Sequence, residues 1–285
     1  MTEIVKPIII LGTGRCGSTL LHNILAKHPN VAFLNTFTSY FPDKIWLTKL
    51  GMEIYSLTNR VRPQECYLLW NKYAPEFVMP FRDLDENDVT NYVKNTLRNY
   101  FKKILSSKRN RLLLKITGWP RIGYLNKIFP DAYFIHILRD GRAFVNSIIK
   151  ESWWLGFRGP QNWRFGELST YYYEVWKKYK FSFIALAAIQ WIILIKAVEK
   201  AAKKIKGKKF LEVKYEDLTQ NPDDTLKKIL EFIELEYDVK FRDKVKKLKI
   251  KNMNYKYKED LTAQQIKILN EILAEELEKK GYKVD

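Results

Sequence analysis

A glycine-rich turn between a buried strand and a helix, close to the start of the chain, most constrains the fold. Residues 8–11 form a continuous apolar run, as expected of a strand covered on both faces of a parallel sheet. The turn at 12–17 follows, and residues 18–27 then carry leucine and isoleucine at the spacing of one helical face. Strand, glycine turn and helix in this order predict the first unit of an α/β fold.

The same alternation continues along the chain. Four further apolar runs of strand length are found, at 31–34, 112–114, 133–138 and 210–213. Helical patterns cover 89–105, 121–128, 143–150, 185–204, 225–233 and 262–280, the last with Thr262 as its N-cap. This pattern predicts the α/β class, with a P-loop-type parallel sheet flanked by helices on both faces. Since no repeat or linker divides the chain, we predict a single domain over residues 1–285.

The stretch 37–88 fits no single period, because aromatics and prolines are scattered through it. We predict that it forms short helices and loops over the carboxyl ends of the strands. In α/β folds, substrates bind at that edge of the sheet.

The chain is strongly basic. Fifty Lys and Arg against 32 Asp and Glu give a formal charge of +18 over 285 residues. Such a field favours anionic partners, which include nucleotides, sulfated or phosphorylated acceptors, nucleic acid and an acidic membrane surface. The charge alone does not choose among them.

The cysteine and histidine counts and the hydropathy of the chain argue against a disulfide-rich, a metal-binding, a secreted or a membrane-spanning protein. Cys16 and Cys66 cannot form a disulfide framework or a four-cysteine zinc site, and three histidines argue against a His-rich metal site. Residues 1–6 lack the apolar stretch of a secretory signal, so we predict a cytoplasmic protein with two free thiols. The most apolar segment, 183–195, is too short to cross a bilayer and is predicted to be a buried helix.

The glycine turn has the placement of a phosphate-binding loop. Its sequence is Gly12-Thr13-Gly14-Arg15-Cys16-Gly17-Ser18-Thr19. Backbone N–H groups and the dipole of the following helix make such a turn an anion cradle. Ser18 stands where a kinase or ATPase has the lysine that reaches a β- or γ-phosphate. A donor without a γ-phosphate needs less positive charge, and Arg15 is placed to supply some.

A second motif follows the strand at 133–138. Arg139 stands at the end of that strand, and Ser147 lies eight residues on, two turns into the next predicted helix. An arginine fork and a serine hydroxyl at these positions can converge on one anion.

The two motifs in this order resemble the PAPS-dependent sulfotransferases, where PAPS is 3′-phosphoadenosine 5′-phosphosulfate. The resemblance is to the branch that includes tyrosylprotein sulfotransferases and many bacterial carbohydrate or small-molecule enzymes. Further stretches are similar to that branch, at 128–134, Gln190-Trp191, 214–218 and Asn221-Pro222. The resemblance covers most of residues 7–233 and is weakest in the middle. It implies in-line transfer of a sulfuryl group from PAPS to a hydroxyl or amine, release of PAP and no metal.

The resemblance also implies roles for individual residues. Five loop residues would bind the 5′-phosphosulfate, namely Arg15, Cys16, Gly17, Ser18 and Thr19. Arg139 and Ser147 would bind the 3′-phosphate, with Lys256 or Lys258 in the place of a late basic loop. Tyr215 would lie near the adenine. Lys115 would face the transferring group, where a cation stabilises charge on the bridging oxygen as the S–O bond breaks.

The catalytic base cannot be carried over from the family. Cytosolic members use a histidine and the tyrosylprotein branch uses a glutamate soon after the second strand, but residues 34–40 contain neither. The stretch Pro63-Gln64-Glu65 resembles one that bacterial members carry in the acceptor region, and we therefore predict Glu65 as the base that accepts the hydroxyl proton. Asp43 is the second candidate. A surface carboxylate beside a proline stays the alternative for each. His136 is predicted to be a core histidine, and no role is assigned to His22 or His28.

Two other function classes stay open. A P-loop kinase or NTPase conflicts with the missing lysine, and a basic nucleic-acid-binding module lacks any recognisable recognition motif. We expect no nucleic-acid partner. The acceptor is left open between a carbohydrate, a lipid and a small alcohol, as are peripheral membrane contact and the oligomeric state. The aromatic stretches 153–158 and 163–165 are predicted to line a sugar or amphiphile site, or else to form a lid packed into the core.

Overall fold

The computed structural model describes residues 3–78, 81–163, 165–248 and 250–284. Within them, five strands form one sheet in the order β2-β3-β1-β4-β5, and every neighbouring pair is parallel. The strands are β1 (Ile8–Gly12), β2 (Val31–Phe33), β3 (Arg111–Thr117), β4 (Tyr133–Leu138) and β5 (Phe210–Lys214). The predicted parallel α/β sheet is therefore confirmed.

Helices occupy most of the remaining described chain. The first seven are α1 (Ser18–Leu25), α2 (Thr36–Tyr40), α3 (Ile45–Thr58), α4 (Tyr67–Tyr73), α5 (Asn91–Ile104), α6 (Ile122–Ile128) and α7 (Gly141–Ile148). The others are α8 (Thr170–Lys178), α9 (Phe183–Ala202), α10 (Tyr215–Gln220), α11 (Pro222–Phe232), α12 (Val239–Lys246), α13 (Lys256–Asp260) and α14 (Ala263–Lys279).

The sheet is covered on both faces. Every residue of β1 and of β4 is buried, although successive side chains of a strand point to opposite faces. On one side α7, α9 and α14 pack together around Phe144, Trp191 and Leu273. The continuous apolar runs in the sequence reflect this double coverage.

The apolar segment predicted as a buried helix is the core of α9. Trp191 and Ile195 are fully buried in this helix, which packs against α7 and α14. Among the described residues, no helix is long and apolar enough to cross a membrane.

The middle of the chain is more regular than predicted. Residues 37–88 contain the 14-residue helix α3 as well as the short helices α2 and α4. Asn35 organises this region, because its buried side chain caps α2 and donates to the Thr48 carbonyl oxygen at 2.8 Å. Asn35 also forms an isolated antiparallel bridge with Pro63. The bridge attaches the segment before α4 to the chain that leaves β2.

Candidate active site

The glycine turn has the geometry of an anion cradle. Gly14, Arg15 and Gly17 adopt positive φ angles of 80°, 51° and 93°. At Gly17 a Cβ atom would lie 2.3 Å from the Tyr215 ring, so only glycine fits there. No side chain of the described residues caps α1, and its first N–H groups are left for a ligand at the carboxyl end of β1.

Cys16 differs from the other loop residues. Its thiol is buried against Gly12, where an added Cβ would lie 2.3 Å from Sγ. Burial raises the pKa of this thiol, which stays neutral. The Cys16 side chain is therefore packed inside the loop, and only its backbone N–H group is left as a candidate contact for the 5′-phosphosulfate.

One side of the loop opens into a cavity of about 610 Å³, which we name the basic cavity. Five cationic side chains and one carboxylate, that of Asp260, line it. The cations are Arg15, Arg139, Lys150, Lys251 and Lys256. Ser18, Thr19, Ser147 and Tyr215 also line this cavity. The charge balance suits a ligand with several negative charges.

Arg139 lines the basic cavity and holds the phosphate loop through hydrogen bonds. Its Nη1 donates to the Arg15 carbonyl oxygen at 2.8 Å, and its Nε donates to Asn254 Oδ1 at 2.8 Å. The guanidinium carbon lies 4.7 Å from the centroid of the Tyr215 ring. Burial lowers the pKa of Arg139, but arginine keeps its charge at neutral pH.

Ser147 lines the same cavity as Arg139, as the motif predicts, but its contact is with Arg15. The Nε of Arg15 donates to Ser147 Oγ at 3.0 Å. Lys256 is brought to this cavity, whereas Lys258 is not among its lining residues. Tyr215 also donates through its hydroxyl to the Lys251 carbonyl oxygen at 2.9 Å.

The other side of the loop opens into a second cavity of about 430 Å³, which we name the aromatic cavity. Its aromatic walls are Tyr67, Trp70, Phe77 and Trp153. A smaller space of about 120 Å³ adjoins it beside Trp119 and Phe165. Arg15, Ser18 and Thr19 line both the basic and the aromatic cavity, so the two meet at the phosphate loop.

Glu65 and Lys115 form an ion pair in the aromatic cavity. Lys115 Nζ lies 3.0 Å from Glu65 Oε1 and donates to Thr19 Oγ1 at 3.0 Å. Only 9% of the Lys115 side chain and 13% of the Glu65 side chain are exposed. Thr117 and Tyr67 donate to the Glu65 carboxylate at 3.0 Å and 2.8 Å. The two predicted catalytic residues are therefore adjacent to each other and to the loop.

The placement of Glu65 follows from the bridge between the chain after β2 and the segment before α4. Gln64 N–H donates to the Leu34 carbonyl oxygen, and Thr36 N–H donates to the Arg62 carbonyl oxygen, each at 3.0 Å. Glu65 thus lies beyond the carboxyl end of β2. Lys115 reaches the same point from the neighbouring strand β3.

The second candidate base, Asp43, lies away from both cavities. Asp43 is an exposed side chain that binds Lys72 at 2.5 Å and Tyr73 at 2.8 Å. It lines neither the basic nor the aromatic cavity. Asp43 lies in the loop between α2 and α3, whereas Glu65 is tied to the chain that leaves β2.

The histidines lie in the protein interior. His136 Nδ1 is 3.0 Å from Glu212 Oε2, and its other ring nitrogen has no partner among the described residues. His22 is buried in α1, and burial together with the Lys115 charge lowers its pKa well below the usual value. His28 packs against Phe241 and has its pKa lowered by burial.

The aromatic stretch after α7 is divided between cavity and core. Trp153 and Phe165 line the aromatic cavity or its extension. Trp154 and Trp163 are buried, and their indole N–H groups donate to Gln190 Oε1 and the Gly166 carbonyl oxygen. Part of this stretch thus lines a cavity and part of it is packed into the core. Arg164 lies outside the described residues.

Some residues of these cavities were missed by the sequence analysis. Thr117 lies two residues after Lys115 on the same strand face, and this spacing could have revealed it. Glu151 lies four residues after Ser147, beyond the end of α7, and reaches the loop through its ion pair with Arg15. Arg121 braces the aromatic wall by donating to the carbonyl oxygens of Phe77 and Trp119. No local motif marks Arg121.

A parallel sheet with an anion cradle after β1 and a basic cavity across β1 and β4 defines a P-loop-like α/β nucleotide-binding protein. Its family is also established, because the sulfotransferase family model matches residues 7–239. The chain belongs to the sulfotransferase family, and the predicted resemblance is confirmed.

Relatives in that family are distant. The chain is 25% identical to protein-tyrosine sulfotransferase A of Caenorhabditis elegans over 82% of its own length and 51% of the relative's. A Drosophila melanogaster protein-tyrosine sulfotransferase is 26% identical, covering 81% and 38%. The chain thus spans about half or less of these relatives. It is 23% identical to the omega-hydroxy-beta-dihydromenaquinone-9 sulfotransferase of Mycobacterium tuberculosis, covering 97% and 75%.

Solved structures show the same fold at low identity. A sulfotransferase from Mycobacterium avium matches with a TM-score of 0.60 and 18% identity, covering 99% of this chain and 78% of that one. The sulfotransferase domain of the Synechococcus olefin synthase matches with a TM-score of 0.54 and 15% identity, covering 100% and 98%.

Proposed function

We propose that the protein transfers a sulfuryl group from PAPS to a hydroxyl or amine of an acceptor and releases PAP. The observation that carries the proposal is the meeting of two unlike cavities at one phosphate loop. The basic cavity suits a multiply charged nucleotide and the aromatic cavity suits an acceptor, with Lys115 and Glu65 beside the loop.

In this proposal the donor occupies the basic cavity. The loop N–H groups, the Arg15 side chain and the Thr19 hydroxyl bind the 5′-phosphosulfate. Arg139, Ser147 and Lys256 bind the 3′-phosphate, and Tyr215 lies at the adenine. The tight contact between Gly17 and Tyr215 supports this arrangement, since it holds loop and ring together.

Lys115 is proposed to stabilise the leaving group. Its ammonium is fixed by Thr19 and Glu65 before any ligand binds, so little reorganisation is needed when charge develops on the bridging oxygen. An anion bound at the loop also competes with Glu65 for this cation. A carboxylate released from its cation is a stronger base.

Glu65 is proposed to accept the acceptor's proton. Thr117 and Tyr67 orient its carboxylate, and Trp70 Nε1 holds its backbone by donating to the Glu65 carbonyl oxygen at 2.9 Å. Oriented, partly buried and next to the loop, it meets the geometric requirement for a general base.

For the acceptor we propose an amphiphile, with the hydroxyl or amine on an apolar or aromatic body. Four aromatic side chains together with Val78 and Ile116 form an apolar part of the cavity wall, and such walls bind apolar ligands with few polar contacts. The relatives named for protein tyrosine and for a menaquinone are consistent with aromatic or apolar acceptors.

Contact with an acidic membrane surface is part of the proposal. Tyr40, Phe41 and Trp46 are exposed between the end of α2 and the start of α3, and the exposed amines of Lys44 and Lys49 lie in the same part of the chain. Aromatic and lysine side chains together favour the interface of anionic lipids. The protein should sediment together with phosphatidylglycerol vesicles, and Trp46→Ser should lower the fraction of protein that sediments with them. Equal retention of both proteins would contradict this part.

We also propose that residues 1–285 form one domain. The C-terminal segment supports this, because Tyr282 donates to Glu216 Oε2 at 3.0 Å and Arg142 donates to the Lys283 carbonyl oxygen at 2.9 Å. A reducing, cytoplasmic location is supported by the free thiols of Cys16 and Cys66.

Calorimetry with PAP tests the proposed function without knowledge of the acceptor. PAP should bind in the presence of a metal chelator. ATP with Mg²⁺ serves as the comparison ligand. Binding of ATP only with Mg²⁺, and no binding of PAP, would replace the sulfotransferase with a P-loop kinase or NTPase.

A further inference from the structure

The carboxylate of Glu151 connects the phosphate loop to the aromatic cavity. Arg15 Nη2 lies 3.0 Å from Glu151 Oε1. The indole Nε1 of Trp153 donates to the other oxygen, Oε2, at 2.9 Å. One side chain thus binds two residues with different surroundings, one oxygen to each.

The two partners belong to the two halves of the proposed reaction site. Arg15 is a loop residue that lines both cavities, whereas Trp153 lines the aromatic cavity and its extension but not the basic cavity. A shift of the Arg15 guanidinium therefore alters the contacts of Glu151, and through them the position of Trp153 in the wall of the aromatic cavity.

The backbone of Glu151 is anchored while its partners are more exposed. Its N–H donates to the Ile148 carbonyl oxygen, and its carbonyl oxygen accepts from Trp154 N–H, both at 3.0 Å. The Glu151 side chain is 25% exposed, compared with 44% for the Arg15 side chain and 53% for the Trp153 residue. Glu151 is the least exposed of the three.

We propose that Glu151 is a positioning residue that couples donor binding to the shape of the acceptor cavity; this rests on the proposed function. A phosphate at the loop and the Glu151 carboxylate both attract the Arg15 guanidinium. When a bound anion draws Arg15 away, the carboxylate loses one of its two donors. The hydrogen bond between the Glu151 carboxylate and Trp153 then changes. The position of Trp153 in the wall of the aromatic cavity therefore depends on whether the donor is bound.

Two substitutions of Glu151 distinguish this positioning role from a role in which Glu151 only neutralises the charge of Arg15. Arg15 and Trp153 are both N–H donors, and a carboxylate offers each of them an acceptor oxygen. Glu151→Gln presents one acceptor oxygen and one NH2 donor, so it can satisfy only one partner. Glu151→Ala satisfies neither.

The test follows Trp153 fluorescence during titration with PAP. The Trp153 signal is the difference between each protein and the same protein carrying Trp153→Phe. PAP should change this signal in the natural sequence, and the change should be lost in Glu151→Ala and reduced in Glu151→Gln. PAP affinity by calorimetry should change no more than about fivefold, the range for a partly exposed ion pair. Glu174→Gln, which alters an exposed carboxylate on α8, is the matched control.

The outcomes separate the coupling from the function. If PAP binds the natural protein without a Trp153 response, or if both Glu151 variants respond as fully as Glu174→Gln, the coupling is wrong and the function stands. If PAP does not bind the natural protein, both fail. Calorimetric PAP binding by Glu151→Gln shows that the variant is folded, so its fluorescence result remains interpretable.

Discussion

Lys115 and Glu65 contact each other, yet the roles proposed for them predict different effects on turnover when each residue is substituted. Stabilisation of a leaving group belongs to the transition state, whereas proton acceptance depends on how acidic the acceptor already is. Substitutions at these adjacent positions should therefore give distinguishable results.

Lys115→Ala should lower turnover about 100-fold or more, the scale of losing one preorganised electrostatic donor. PAP affinity should fall much less, because the charge stabilised by Lys115 develops only during transfer. Turnover with an alcohol acceptor and calorimetry with PAP measure the two quantities. An equal loss in both would make Lys115 a binding residue.

Glu65→Gln keeps the shape of the side chain but removes its capacity to accept a proton. Turnover on an ordinary alcohol should drop across the pH range while acceptor affinity stays similar. The loss should shrink on phenols with acidic hydroxyls, which need less help in losing the proton. Full activity on an alcohol would remove Glu65 from the reaction.

Arg139→Ala should weaken PAP binding by about 2–3 kcal/mol, because charge-assisted hydrogen bonds are the stronger class. Ser147→Ala should cost roughly 1 kcal/mol, since it removes one neutral hydroxyl. Calorimetry on both variants is the measurement. Unchanged affinity in both would place the 3′-phosphate elsewhere.

At the scale of elements, the attachment of the α2–α4 region to the sheet decides where Glu65 lies. Asn35 is fully buried and both caps α2 and donates to the Thr48 carbonyl oxygen. Asn35→Ala should therefore cost about 2–4 kcal/mol of unfolding free energy, from the lost cap and the unpaired carbonyl oxygen.

Urea denaturation measures this cost, and Thr90→Ala is the matched control. Thr90 caps only α5 from a more exposed position, so its loss should cost about 1 kcal/mol. If Asn35→Ala costs no more than Thr90→Ala, the Asn35 contact with Thr48 does not hold this region.

The elements that the sequence predicted well are those with a one-sided or continuous apolar pattern. All five strands and α9 were predicted for this reason, and Thr262 was correctly predicted as the N-cap of α14. The helix α8 was missed because none of its residues is fully buried, and its partly buried face, Tyr172, Val175 and Trp176, stands among further aromatic residues that obscure the period. The strand β3 was predicted too short because Lys115 and Thr117 are polar.

The site was predictable only where local motifs specify it. Arg15, Arg139 and Ser147 lie in strand-to-helix segments whose geometry a motif implies, and all three line the basic cavity. Glu65 was chosen by resemblance, and its contact with Lys115 depends on pairing between segments far apart in the sequence. Asp43 was a candidate because nothing local distinguishes its carboxylate from that of Glu65, and the structure places it outside both cavities.

At the scale of the whole molecule, the charge of +18 and the buried Arg139 act on a bound anion in different ways. Exposed charges are screened by salt, since the Debye length is about 10 Å at 0.1 M ionic strength and about 3 Å at 1 M. A buried hydrogen-bonded arginine is screened much less. Salt should therefore separate the general field from the specific contacts.

The comparison pairs Lys251→Ala, an exposed lysine of the basic cavity, with Arg139→Ala. At low salt, Lys251→Ala should weaken PAP binding by up to about fivefold, and this effect should disappear as the salt concentration approaches 1 M. The effect of Arg139→Ala should persist, because only 8% of Arg139 is exposed. Calorimetry with PAP over a series of NaCl concentrations measures both. If the two effects fall in parallel, Arg139 acts through the general field, and direct contact with the 3′-phosphate is contradicted.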